Sequence, residues 1–165
     1  MIKKFAAFGL GLAVLSGCSA PQTSAITSPP VNPVYNSAGK ALTPNKLIKN
    51  EIRTFKNGSG GRTELVGVPC KISTSLYTID VVTPAFANVP SFADKTPDAT
   101  FTCVYNDETK SRVQKPINLT ELEKTQGSEF FGVIGVMVAA AVADAAIKDE
   151  DSVFTYSLFV MNFKD

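Results

Sequence analysis

Hydrophobic positions change their spacing several times along this chain, and each spacing predicts a different kind of element. Phe5 to Leu15 is apolar or glycine throughout and follows a short basic start, Met1-Ile2-Lys3-Lys4. Ser19 to about Pro44 has few large apolar residues and is rich in Pro, Ser, Thr and Asn. Such a stretch buries too little surface to offset its ordering entropy and predicts a disordered tether over residues 18–44. Asn45 to Phe55 holds Leu47, Ile48, Ile52 and Phe55 at mixed spacing, which fits a short helix or a first strand equally.

From Arg62 to Asn118 the period becomes two. Tyr77, Ile79 and Val81 share one face, as do Phe101, Cys103 and Tyr105, with Thr100 and Thr102 opposite. Alternation in short runs separated by turn residues predicts antiparallel strands. Pro84, Pro90 and Pro97 are expected at strand ends or in loops, because proline cannot donate to a ladder. Asn57-Gly58-Ser59-Gly60-Gly61 lacks the GxxxxGK[ST] spacing of a phosphate loop and reads as a flexible turn. Val153 to Phe163 is β-branched and aromatic; Phe154, Tyr156, Leu158 and Val160 on one face predict a central closing strand.

Between these lies an apolar run of 14 residues, Phe130 to Ala143, within a helix expected over about 128–148. Thr120-Glu121-Leu122-Glu123 fits the capping box of a short preceding helix, and Ser128 suits the cap of the apolar one. Gly132 and Gly135 lie early in the run, and Gly135, Ala139 and Ala143 recur at four-residue spacing as a small-residue stripe. A membrane-spanning helix needs about 20 residues. The run therefore predicts a helix packed on the sheet; association with a partner or second copy through the stripe, and shallow membrane insertion, are the other readings.

The N-terminus sets the compartment. A basic start, an apolar core of this length and small residues after it make a signal peptide over residues 1–17. Its last residues and the next, Leu15-Ser16-Gly17-Cys18, resemble the lipobox of bacterial lipoproteins. The resemblance implies cleavage before Cys18 and acylation of that cysteine, hence a stable anchor, since several chains hold where one is marginal. Ser19 stands where proteobacterial lipoproteins kept at the inner membrane often have Asp, so the resemblance favours the periplasmic side of the outer membrane.

Cleavage leaves about 148 residues, the size of one domain, and removes Lys3 and Lys4, so 16 basic residues become 14 against 15 acidic ones. No basic surplus remains for nucleic acid. The chain has no histidine, which excludes a Ser-His-Asp triad, a Cys-His pair and imidazole metal sites. Asp149-Glu150-Asp151 lacks the alternation and glycine of a calcium loop. With Cys18 set aside for lipid, Cys70 and Cys103 form an even pair in an oxidising compartment. A disulfide between them is the leading reading, two buried thiols or a sparse metal pair the others.

Pro69-Cys70-Lys71-Ile72, Val82-Thr83-Pro84, Val89-Pro90 and Phe101-Thr102-Cys103-Val104 resemble the corresponding segments of a group of small proteobacterial lipoproteins. The likeness spans about Val66 to Val142 and implies a small β-domain with an intact disulfide in the envelope. The group brings no assigned activity and no catalytic residues. Its members carry more glycines in the apolar segment than the two here.

The expectation is a mainly β fold with one apolar helix (α+β), a small antiparallel sandwich or sheet over residues 45–165. The expected role is structural or interaction-based, with the membrane, an envelope protein or a second copy as partner. Neither a cofactor nor a metal is expected, nor a catalytic residue: Asp80, Asp94 and Glu64 show no catalytic spacing. The rival reading is a periplasmic module for an apolar ligand, lipid or peptide, lined by Phe86, Phe92, Phe101 and Tyr105.

Overall fold

The computed structural model describes residues 23–126, 136–137 and 152–164. The expected signal peptide, the lipobox-like residues Leu15, Ser16 and Gly17, and Cys18 lie outside them, as do Gly132, Gly135, Ala139 and Ala143. The described residues form a mainly β fold. Its strands are β1 (Val34–Tyr35), β2 (Lys46–Gly58), β3 (Gly61–Leu65), β4 (Val68–Ser73), β5 (Tyr77–Thr83), β6 (Ala85–Ser91), β7 (Ala99–Tyr105), β8 (Glu108–Gln114), β9 (Ile117–Asn118), β10 (Val136–Met137), β11 (Phe154–Thr155) and β12 (Phe159–Lys164). The helices are α1 (Ser37–Lys40) and α2 (Leu119–Gln126).

Two five-stranded sheets pack face to face. Sheet one runs β1-β5-β4-β7-β8, antiparallel throughout. Sheet two is built around the 13-residue β2, with β6 and β3 antiparallel along one edge. β10 lies antiparallel and β12 parallel along the other. Alternation in β2 buries Ile48, Asn50, Ile52 and Thr54 and turns Lys49, Glu51 and Arg53 outward, which settles the undecided segment as a strand. Between the sheets lie Ile72, Ile79, Val81, Phe101, Ala87, Val89, Phe159 and Phe163, with Phe101 edge-on to Phe159 at 5.4 Å. A second buried group joins the tyrosines: Tyr77 OH donates to Tyr156 OH at 3.5 Å and Tyr156 OH to Pro97 O at 2.5 Å. Burial raises the Tyr77 phenol, with Tyr156 adding to it, and pushes Tyr156 up to about 12.

The expected disulfide is present. Antiparallel register sets Cys70 of β4 directly opposite Cys103 of β7, with Cα atoms 4.1 Å apart, and both side chains are buried in the core. Turn chemistry also holds. The glycine cluster makes the β2–β3 hairpin, closing on the Gly58–Gly61 pair. Asn106 and Asp107 turn β7 into β8 with φ of 49° and 64°, the left-handed pair that such two-residue hairpins require.

The chain changes sheets twice at one corner. Val66-Gly67 leads from β3 to β4, and Pro84, after a cis peptide bond, leads from β5 to β6. Gly67, at φ +83°, donates its N–H to Thr83 O at 2.7 Å, and Thr83 Oγ1 lies 2.7 Å from Thr54 Oγ1. The sandwich is closed along β12 by side chains: Lys110 Nζ donates to Asn162 O and the Arg112 guanidinium to Leu158 O, both at 2.9 Å.

Several expectations change. The segment expected as a tether docks on the sandwich: Val31 N–H donates to Phe86 O and Asn88 N–H to Val31 O, both at 2.8 Å, and β1 pairs with β5. Asn36 caps α1 through the Gly39 N–H, and Gly39 lies so close to Leu76 O that a Cβ there would meet it at 2.1 Å. Composition missed this docking because backbone hydrogen bonds, together with Val31, Tyr35 and Leu42, hold the segment. Of the predicted 128–148 helix only Val136–Met137 is described, and it is a strand, paired with Asn50 and Lys49 on the open edge of β2. The expected central closing strand breaks after β11, which pairs with β9; the phase slips across Tyr156–Leu158, and β12 buries Phe159, Met161 and Phe163 instead. Among the described strands β12 pairs only with β2, in parallel. Pro90 lies inside β6 opposite Leu47. The α2 cap is Asn118, whose Oδ1 accepts from Glu121 N–H at 3.2 Å, while Thr120 Oγ1 accepts from Val153 N–H.

Candidate functional site

The outer face of sheet one carries apolar side chains where alternation would place polar ones. In β5, Tyr77, Ile79 and Val81 point inward, so Thr78, Asp80 and Val82 point outward. Register puts Val82 opposite Pro69 of β4, and Val104 of β7 falls one step beyond the disulfide pair. A row of Val82, Pro69 and Val104 thus crosses three neighbouring strands, with Val82 61% and Val104 42% exposed. The next row is polar: Lys71 Nζ lies 3.4 Å from Asp80 Oδ1, and Thr102 Oγ1 lies 2.7 Å from Ser111 Oγ. These rows line an open groove of about 690 Å³, with Val31 of the docked N-terminal segment contributing to its wall.

The outer face of sheet two is different in chemistry. Arg53 is the hub of an ion cluster. Its Nε donates to Glu51 Oε1 at 2.6 Å, and its Nη1 donates to Glu64 Oε1 and to Ser24 O, the latter at 3.1 Å. Ser24 N–H donates to the other Glu64 oxygen, so the N-terminal segment is clamped to this pair through its backbone. The Glu64 side chain is 3% and Arg53 13% exposed. Burial by itself raises the Glu64 carboxyl, but the Ser24 N–H and the Arg53 guanidinium together hold it below the ordinary carboxylate range. Burial likewise opposes the Arg53 charge, and its hydrogen bonds to Glu64 and Glu51, with their negative charges, more than offset it.

Two aromatic rings on this face lie beneath cations. Lys49 Nζ stands 3.9 Å from the Phe86 ring centroid, and Arg62 Cζ stands 3.7 Å from that of Phe55. Lys164 of β12 points outward beside Asn57 at the same end as Arg62.

The residues proposed to line an apolar ligand site are not brought together. Phe92 packs near Tyr35 and Tyr77, Phe101 against Phe159, and Tyr105 against Phe163, while Phe86 lies on the outer face of sheet two. The three carboxylates are likewise apart: Glu64 in the clamp, Asp80 beside Lys71, and Asp94 at a small cleft of about 180 Å³ next to Lys95. Among the described residues no group of three His, Cys, Asp or Glu side chains is placed to hold a metal ion. The groove and the clamp escaped sequence reasoning. The groove left one signal, valines out of phase at positions 82 and 104; the clamp joins residues 29 and 40 positions apart and left none.

Comparison with protein-family models, curated proteins and solved structures finds no match to this chain.

Proposed function

We propose that this is a bacterial envelope lipoprotein, acylated at Cys18, that acts by binding a partner protein through the groove on sheet one. The observation that carries the reading is the exposed apolar row Val82–Pro69–Val104 in a groove that is open, not enclosed. An open groove admits an extended segment or a flat surface, whereas small-ligand pockets enclose most of their ligand. Exposed apolar patches rimmed by polar residues are characteristic of protein interaction sites. The Lys71–Asp80 pair supplies such a rim and a means of orienting a polar partner group. The anchor at Cys18, with Leu15, Ser16 and Gly17 as its recognition sequence, and a location on the periplasmic side of the outer membrane complete the reading.

The test is a photo-crosslinking residue at position 102 in intact cells. A discrete crosslinked protein that disappears in Val82→Lys/Val104→Lys is the expected result. A protein that crosslinks to nothing, or a partner retained in that variant, overturns it. The groove's volume is also that of a small-ligand site, which keeps the apolar-ligand reading as the second one. Native mass spectrometry of delipidated protein separates the two, because a co-purifying ligand would appear as added mass.

A further inference from the structure

The two outer faces differ in net charge, and the N-terminal segment is clamped to only one of them. On sheet one the outward charges are Lys71 and Asp80, which pair with each other. On sheet two the outward carboxylates among the described residues, Glu51 and Glu64, are both committed to Arg53. Lys49, Arg62 and Lys164 remain, spread across β2, β3 and β12. Two of them lie over aromatic rings, which holds the charges as the outermost groups of the face.

We propose that the outer face of sheet two is the membrane-facing side of the protein, where Lys49, Arg62 and Lys164 meet the phosphates of anionic phospholipid headgroups. This rests on acylation of Cys18 as proposed above. Cys18 precedes Ser24 by six residues, a reach of at most about 22 Å at 3.3–3.6 Å per residue. Ser24 is fixed on Arg53 and Glu64, so the anchor enters the bilayer beside this face and not at the end of a long tether. Each cation near an anionic surface strengthens attachment by about fivefold at low salt. The groove, on the opposite face of the sandwich, then points away from the bilayer toward partners.

The acylated protein on vesicles of phosphatidylethanolamine and phosphatidylglycerol tests this directly. With Cys18 acylated and Cys70–Cys103 oxidised, Asn162→Cys or Ser111→Cys supplies one free thiol on sheet two or sheet one for a fluorophore. Quenching by a headgroup spin label is expected to be at least threefold stronger at position 162. Equal quenching, or stronger quenching at 111, overturns the assignment, and neither label depends on a charge substitution. If mass spectrometry finds no acyl chain on Cys18, the lipoprotein reading fails by itself. The face is then decided by sedimenting the same chain with phosphatidylglycerol vesicles. Lys49→Gln/Arg62→Gln/Lys164→Gln is expected to bind at least fivefold more weakly, and equal binding overturns the proposal.

Discussion

The two sheets share a core and oppose each other in how their outer faces treat charge. Sheet one leaves valines in solvent and neutralises its one outward cation with Asp80 in an exposed pair. Sheet two shields its aromatic rings under cations and places two carboxylates on one part-buried guanidinium. Equal ion-pair distances would hide that contrast, because exposure decides what a pair contributes. A surface pair contributes about 0–1 kcal/mol, whereas removing one partner of a buried pair leaves an uncompensated charge and costs about 3–5 kcal/mol.

The sharpest way to break the contrast is to cut each pair and compare. Arg53→Ala, which strands Glu64, is expected to lower unfolding free energy by about 3–5 kcal/mol in urea melts, and Lys71→Ala by less than about 1 kcal/mol. Equal losses would abolish the distinction. Next is the disulfide inside sheet one: it closes a 33-residue separation, so Cys70→Ala/Cys103→Ala is expected to destabilise by roughly 3–4 kcal/mol. Alkylation of the native protein without reductant is expected to label neither cysteine.

Acid and base probe different places. The Glu64 pKa is depressed in the fold, so its contribution is complete above the ordinary 4.5 and is lost as pH falls through the lower folded value. Proteolysis near Ser24 should therefore rise in acid before global unfolding, and in Glu64→Gln it should be high at every pH. The tyrosine phenols are raised, so the fold favours their neutral form. Their contribution is complete below the ordinary 10.0 and is lost as pH rises above it, which alkaline unfolding followed at 295 nm will show. The smallest expected effect is that of Val82→Ser/Val104→Ser, within about 0.5 kcal/mol of wild type, since exposed sites away from special features change stability little. Partner crosslinking, not stability, is what that variant should remove.

Much of this fold is local and so was legible. Two-residue alternation found β5 and β7, the glycine cluster marked the turn between β2 and β3, and cysteine arithmetic found the disulfide. What was missed depends on distant partners. Whether β12 pairs parallel or antiparallel to β2 is decided by the route of the intervening chain, not by its own residues. Val31 and Asn36 dock through backbone groups that every sequence possesses, so a Pro-rich composition did not reveal them. Arg53 and Glu64 are joined by Ser24, which lies 29 and 40 positions away, a proximity that no local pattern encodes. The groove was half-visible, because Val82 and Val104 break the polar phase of their strands.

The side-chain closure along β12 has a consequence for association. An unpaired strand edge is a template for another chain. Lys110 and Arg112 already occupy the Asn162 and Leu158 carbonyls. A second strand approaching that rim therefore meets occupied acceptors. Resistance to strand addition at this edge is thus concentrated in two long side chains of β8, and losing both is expected to ease edge-to-edge association.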